Sequence, residues 1–330
     1  MRISTNTFFE HSVRGITDLQ SSLGKVQTQI ASGKKLTSPS DDPIAAAQVI
    51  EINQSIAMND QYARNRLQLK NSLSHTDTVM NDVQDVLLNI HETTIAASNG
   101  VASVHDKAAY ASTLQGYYDQ LLKLANTTDS YGNYIFAGSN NGQQAFVRET
   151  VVQPKINPQT GTPVLDASGQ VVTESVYTGR VIYRGSQDDM IVNVDHGSSM
   201  ASTVNGATLI VTENNQNIFT KLQAAIEALN NPSTSNTDPS LTELVNSFSS
   251  ALTQLGTVQS EVANRLKTID QLDTLGSSRS LQLNQELSSL QDLDFNKAIA
   301  EFSRQQMVLQ AAQQTFAQVS KMSLFDYIKN

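Results

Sequence analysis

Phe295-Asn-Lys-Ala-Ile-Ala-Glu-Phe302-Ser-Arg-Gln-Gln-Met-Val-Leu309-Gln-Ala-Ala-Gln-Gln-Thr-Phe316 carries a large apolar residue at every seventh position, with Ala298, Ala312 and Val319 at the intermediate seam positions. The other end of the sequence repeats the pattern: Phe9, Ile16, Leu23 and Ile30 recur every seven residues, with Leu19 and Val26 between them. A seven-residue apolar repeat marks a helix with a narrow stripe that another helix must cover. The two stripes lie far apart in sequence, so their expected partners are each other or copies of the same chain. That is the pattern of an assembly subunit rather than a catalyst.

Working inward, a third series places Leu241, Phe248, Leu255, Val262 and Ile269 seven apart; Gly276 interrupts it and Leu283 resumes the phase. Phe295 lies twelve residues beyond Leu283, out of phase, and a seam that changes phase has changed neighbours or been re-wound. A boundary is therefore expected between about 276 and 294. On the other arm Pro39 interrupts the helix that ends near Gly33, Asp42 is placed to cap the next one, and Pro43 suits its first helical position. Helices are expected over 5–32, 44–98, about 107–127, 218–229 and from Asp238-Pro239 onward. Nine of the sixteen glycines fall between 131 and 213, and runs rich in β-branched residues there point to strands at 171–177, 180–183, 190–194 and 207–212. The expected fold is mainly α with an inserted β-rich domain, its N- and C-terminal arms forming a long antiparallel bundle or coiled coil. Three parts follow: a terminal helical layer (1–42 with 286–330), an inner helical bundle (43–130 with 214–285) and the β-rich insert (131–213).

A net charge of −9 argues against a nucleic-acid binder. Zero cysteines exclude disulfides, thiolate nucleophiles and Cys-ligated zinc, and suit a chain that crosses compartments unfolded. No continuous apolar core follows Met1-Arg2, and no stretch approaches the ~20 apolar residues of a membrane span. No catalytic, cofactor or metal residues are expected. His91-Glu92 opens like a zinc-protease motif, but Ile95 stands where the second histidine belongs. Asp292, Asp294 and Asn296 open like a calcium loop, but Lys297 replaces the turn glycine and Ser303 the bidentate glutamate. Asp188-Asp189 reads as a solvated turn.

Several segments resemble the flagellin superfamily. Arg2-Ile-Ser-Thr-Asn6, Ile30-Ala-Ser-Gly-Lys-Lys35 and Pro39-Ser-Asp41-Asp42-Pro43 are similar to its N-terminal arm, and Gly256 with Asn264-Arg265-Leu266 to its returning helix. Tyr134-Ile135-Phe136-Ala137-Gly138 and Leu324-Phe325-Asp-Tyr327-Ile328 are similar to the hook–filament junction branch rather than to filament flagellins. The resemblance covers roughly 1–140 and 240–330. It implies a secreted structural subunit of the bacterial flagellum, passed through the type III export apparatus by a flagellar export chaperone. The subunit would self-associate in a ring between the hook, through hook-associated protein 1, and the flagellin filament. A minor filament flagellin is the alternative. On either reading the apolar seam residues Phe9, Ile16, Leu19, Leu23, Val26, Ile30, Phe295, Phe302, Leu309, Phe316 and Val319 form the assembly interface, with no nucleic-acid or membrane partner.

Overall fold

The computed structural model describes residues 2–98, 103–157, 162–166, 168–212, 216–231 and 239–328; within these, no side chain is described at 2–6, 8, 179, 209–212, 216 or 321–328. The elements run α1 (Arg2–Ser32), α2 (Pro43–Ala97), α3 (Val104–Ala125), β1 (Phe146–Pro154), β2 (Thr173–Tyr183), β3 (Ile191–Asp195), β4 (Ser198–Ala201), α4 (Gly206–Ile210), β5 (Val211–Thr212), β6 (Gln216–Asn217), α5 (Ile218–Asn230), α6 (Pro239–Gln291) and α7 (Phe295–Ile328). Long helices with a small antiparallel β-region between them bear out the expected fold class. The chain packs as two compact units, one of residues 1–61 with 275–330 and one of residues 62–274.

In the unit 62–274 the apolar repeats close a core. Leu241, Phe248, Leu255, Val262 and Ile269 of α6 are all buried, as are Leu69, Leu73, Met80 and Ile90 of α2. Leu114, Tyr118 and Leu121 of α3 and Phe219, Leu222 and Ile226 of α5 join the same cluster. α3 starts three residues earlier than its expected limit because Ser103 and Asp106 form a capping box. Its buried tyrosine is Tyr118, with Tyr117 only partly covered. A short, well-bonded polar set crosses this core: buried Arg66 donates to Asp273 (2.5 Å) and to the Val194 carbonyl (2.8 Å), fixing β3 to α2 and α6.

The β-region differs from the expectation in three places. Residues 173–177 and 180–183 of the two expected runs belong to one strand, β2, which pairs antiparallel with β1 across an irregularity between Arg148 and Thr150, while Val171 bridges to Leu165. β1 itself and β4 have no period-two signal in the sequence. Ala207–Thr212, expected as a strand, is mostly the helical turn α4, with only Val211–Thr212 extended and paired to β6. The reason is local: the Asn205 side chain accepts the Ala207 N–H (2.9 Å) and the Thr208 hydroxyl bonds the Asn205 carbonyl (2.6 Å), which starts a helix despite the β-branched residues.

In the unit of residues 1–61 and 275–330, α1 and α7 run antiparallel, with Phe9 and Phe316 in an edge-to-face ring contact (centroids 5.2 Å apart). The last helical stretch is broken, since α6 stops at Gln291 and α7 begins at Phe295.

Candidate assembly surface

Two helix breaks, one on each arm, meet and bond in this terminal unit. Gly33 adopts φ 70° and ends α1 in the left-handed conformation. Its carbonyl accepts the Leu293 N–H (3.0 Å), and the Lys35 N–H donates to the Gln291 carbonyl (2.7 Å). The break of one helix thus satisfies the free backbone groups of the other. Asp41 locks the turn: it accepts from the Thr37 N–H (3.1 Å), the Thr37 hydroxyl (3.0 Å) and the Ser38 N–H (3.0 Å). Lys25 of α1 pairs with it at 2.8 Å. The Lys25 ammonium, followed by these Ser38 and Thr37 donors, holds the Asp41 carboxyl well below the usual carboxylate range. Asp42 caps α2 through the Ala45 N–H (3.0 Å), and Pro43 is the first residue of the helix. Lys25, the charge partner of Asp41, is the residue that sequence reading passed over; it sits sixteen positions away on the helical face that returns to the turn.

The terminal stripes face one another within one chain. Ser12, Gly15, Ile16 and Leu19 of α1 and Ala312, Thr315, Phe316 and Val319 of α7 line an open cleft of about 480 Å³. Among the stripe residues Val26 is buried, whereas Phe9, Ile16, Leu19, Leu23, Ile30, Phe302, Leu309, Phe316 and Val319 are only half-buried. Phe295 is half exposed, near Gly33, and Ile299 and Met307 are also open. Leu324, Phe325, Tyr327 and Ile328 lie on the helical backbone of α7, but their side chains are outside the described residues.

The segment Tyr134–Gly138 belongs to the other unit and is its hub. Ile135, Phe136 and Ala137 are buried, and Tyr134 packs against the same core. The Phe136 carbonyl accepts the Gly206 N–H (3.0 Å) and the Tyr183 hydroxyl (3.1 Å), and the Ala137 carbonyl accepts the Ser186 N–H (2.9 Å). Burial, the main cause, pushes the Tyr183 hydroxyl up to about 12, so it remains a donor at any physiological pH. Gly138 has φ 62°, and a Cβ there would stand 2.5 Å from the Ser186 carbonyl oxygen. The segment therefore ties β2, the turn at Ser186 and the start of α4 together. Arg265 of α6 reaches the same region, donating to the Thr203 carbonyl (3.2 Å) and facing Asp189 at 3.9 Å. Asp189 is thus not a solvated turn residue. Burial pushes its carboxyl up, only partly offset by Arg265, and its Oδ1 has no hydrogen-bond partner. Neighbouring charges on different elements cannot be read from a one-dimensional pattern, which is why this pair escaped the sequence.

Among the described residues there is no group of three or more His, Asp or Glu placed to hold a metal ion, and no helix is long and apolar enough to cross a membrane.

Comparison with known proteins gives these features a context. The bacterial flagellin N-terminal helical region matches residues 3–141 and the bacterial flagellin C-terminal helical region matches residues 240–328. The chain is 33% identical to flagellar hook-associated protein 3 of Escherichia coli over the full length of both. It is also 33% identical to flagellar hook-associated protein 3 of Salmonella typhimurium, over 98% of this chain and 99% of that protein. Among solved structures, flagellar hook-associated protein-3 of Legionella pneumophila superposes with a TM-score of 0.58 at 18% identity, covering 73% of this chain and 98% of that one.

Proposed function

The chain belongs to the flagellar hook-associated protein 3 family, structural components of the bacterial flagellum, and from that premise we propose that it forms the junction ring between hook and filament. In this reading it self-associates, sits on hook-associated protein 1 and offers flagellin a surface on which to polymerise. A flagellar export chaperone holds the C-terminal helix until the type III export apparatus passes the chain outward. The layer 1–42 with 286–330 assembles, the bundle 43–130 with 214–285 supports it, and 131–213 is an insert carried on that support.

One contrast supports the reading most. The only buried apolar residues in the terminal unit, among those described, are Val26, Ile52 and Ala298, while the other unit closes a continuous core. Two helices that leave their shared seam half open gain further burial from neighbouring copies, at roughly 25 cal/mol for each Å² of apolar surface covered. The seam residues Phe9 to Ile30 and Phe295 to Val319 are then the interface, and the bonded turn at Gly33–Asp42 holds both arms in one alignment. Phe302→Asp tests this: a carboxylate set into the completed seam has no partner. The core of residues 62–274 is expected to melt unchanged, while incorporation is lost and flagellin is shed into the medium. A Phe302→Asp strain that swims normally and sheds no flagellin overturns the reading.

A further inference from the structure

The β1–β2 ribbon changes character along its length. At its base Phe146 and Val181 are buried and the outer backbone edges are capped by side chains. Asn126 accepts the Phe146 N–H (2.9 Å) and donates back to the Phe146 carbonyl (2.7 Å). Asn217 donates to the Val181 carbonyl (3.0 Å) on the opposite edge. Beyond the irregularity at Arg148/Thr150 both faces are apolar and open: Val151, Val152, Val176 and Tyr177 are exposed. Among the described residues no side chain caps the outer edges there.

The ladder decides which groups those edges offer. The Lys155 N–H donates to the Val172 carbonyl (2.8 Å), and bonded pairs alternate with non-bonded ones in an antiparallel ladder. Val151/Val176 and Gln153/Glu174 therefore bond inward, and Val152 and Tyr177 turn their N–H and C=O outward. An isolated two-stranded ribbon is marginal in water, and an open apolar edge is a template for another strand.

We propose that the distal ribbon docks edge to edge on the ribbon of a neighbouring copy, β1 of one against β2 of the next. A charge pair supports this arrangement. Lys155 directly follows β1 and Glu174 lies on distal β2, so β1 on β2 sets these two opposite charges across from each other. Setting Lys155 opposite Glu174 and stepping three residues back along β1 and three forward along β2 places Val152 opposite Tyr177. Both face outward, so one register satisfies the charges, the backbone and the apolar side chains. Pro154, which has no N–H, limits the edge at its far end. Such a head-to-tail contact uses two different edges and closes into a ring when the rotation allows. The inference rests on the reading that copies lie side by side in the junction.

The chain has no cysteine, so introduced thiols report the contact cleanly. A Val152→Cys copy and a Tyr177→Cys copy are co-expressed, and purified flagella are oxidised and run without reductant. A mixed dimer is expected, absent when either copy is expressed alone and lost when Thr150→Pro, which removes an outward N–H, is added to the Val152→Cys copy. In the unsubstituted chain, the Val152 and Tyr177 amides are expected to exchange slower by about tenfold or more in flagella than in monomer. A Val152→Cys homodimer, unaltered exchange, or junctions that contain the protein without the mixed dimer all overturn the ribbon contact alone. If the unsubstituted protein is not recovered with flagella, the assembly reading fails with it.

Discussion

Gly138→Ala isolates the contribution of the hub between α3 and β1. Gly138 sits at φ 62°, and an added Cβ would lie 2.5 Å from the Ser186 carbonyl oxygen and 2.8 Å from that of Asp188. Neither oxygen is free to retreat: the Tyr183 hydroxyl holds the first (2.9 Å) and the Ser139 N–H the second (2.9 Å). The left-handed backbone costs alanine about 1–2 kcal/mol, and forcing a methyl group into packed backbone adds about 1–3 kcal/mol. Gly132 provides the control, because it has φ 84° with nothing within 4 Å of its would-be Cβ. Gly132→Ala pays only the backbone cost. For a unit the size of residues 62–274, each kcal/mol moves Tm by roughly 2–4 °C, so Gly138→Ala is expected to melt about 2–12 °C below Gly132→Ala. Thermal unfolding of the purified chain followed by circular dichroism reads the difference. Coincident melting curves for the two variants refute the claim that the segment is locked against the turn at Ser186–Asp188.

Three further outcomes are expected. Asn126→Ala removes both bonds at Phe146 and leaves a buried N–H and C=O unpaired, which costs about 2–4 kcal/mol and lowers the urea midpoint without changing the slope. Arg66→Ala, which frees the Val194 carbonyl and Asp273, costs about 1.5–3 kcal/mol in the same measurement, the half-exposed Asp273 recovering some hydration. Asp41→Asn loosens the turn at Gly33–Asp42, seen as faster amide exchange at Lys35 and Leu293. Because the folded carboxyl is depressed by Lys25 and the turn donors, its stabilisation is complete above the unfolded value of about 4 and fades as pH falls below it. The gap between the wild-type chain and Asp41→Asn is therefore level from about pH 5 to 8 and narrows in acid; a gap that widens on acidification contradicts the assignment.

The helical framework was legible because its cause is periodic. The repeat from Leu241 to Ile269 names five residues that all end up in the core, and the phase offset between Leu283 and Phe295 brackets the break at 292–294. Asp42 and Pro43 announce the start of α2 by local chemistry alone. What the sequence withheld depends on contacts far along the chain. β1 lacks an alternating pattern because only its base is buried, while the residues beyond the irregularity are exposed on both faces. The β-branched content of Ala207–Thr212 favours a strand, but the cap at Asn205 outweighs that propensity. The charge pairs Lys25–Asp41 and Asp189–Arg265 join separate elements, so no spacing rule shows them. For the stripes, periodicity specifies that Phe9, Ile16, Phe302 and Phe316 need cover; how little of it one chain supplies emerges only from their half-buried state.

Location within the flagellum tests the proposed junction role most directly. A single cysteine introduced as Gln144→Cys, at an exposed position outside the proposed contacts, takes a fluorescent or gold label in the otherwise cysteine-free chain. Imaging labelled flagella is expected to show one band at the boundary between hook and filament. Label spread along the filament contradicts a junction ring and points instead to a minor filament subunit.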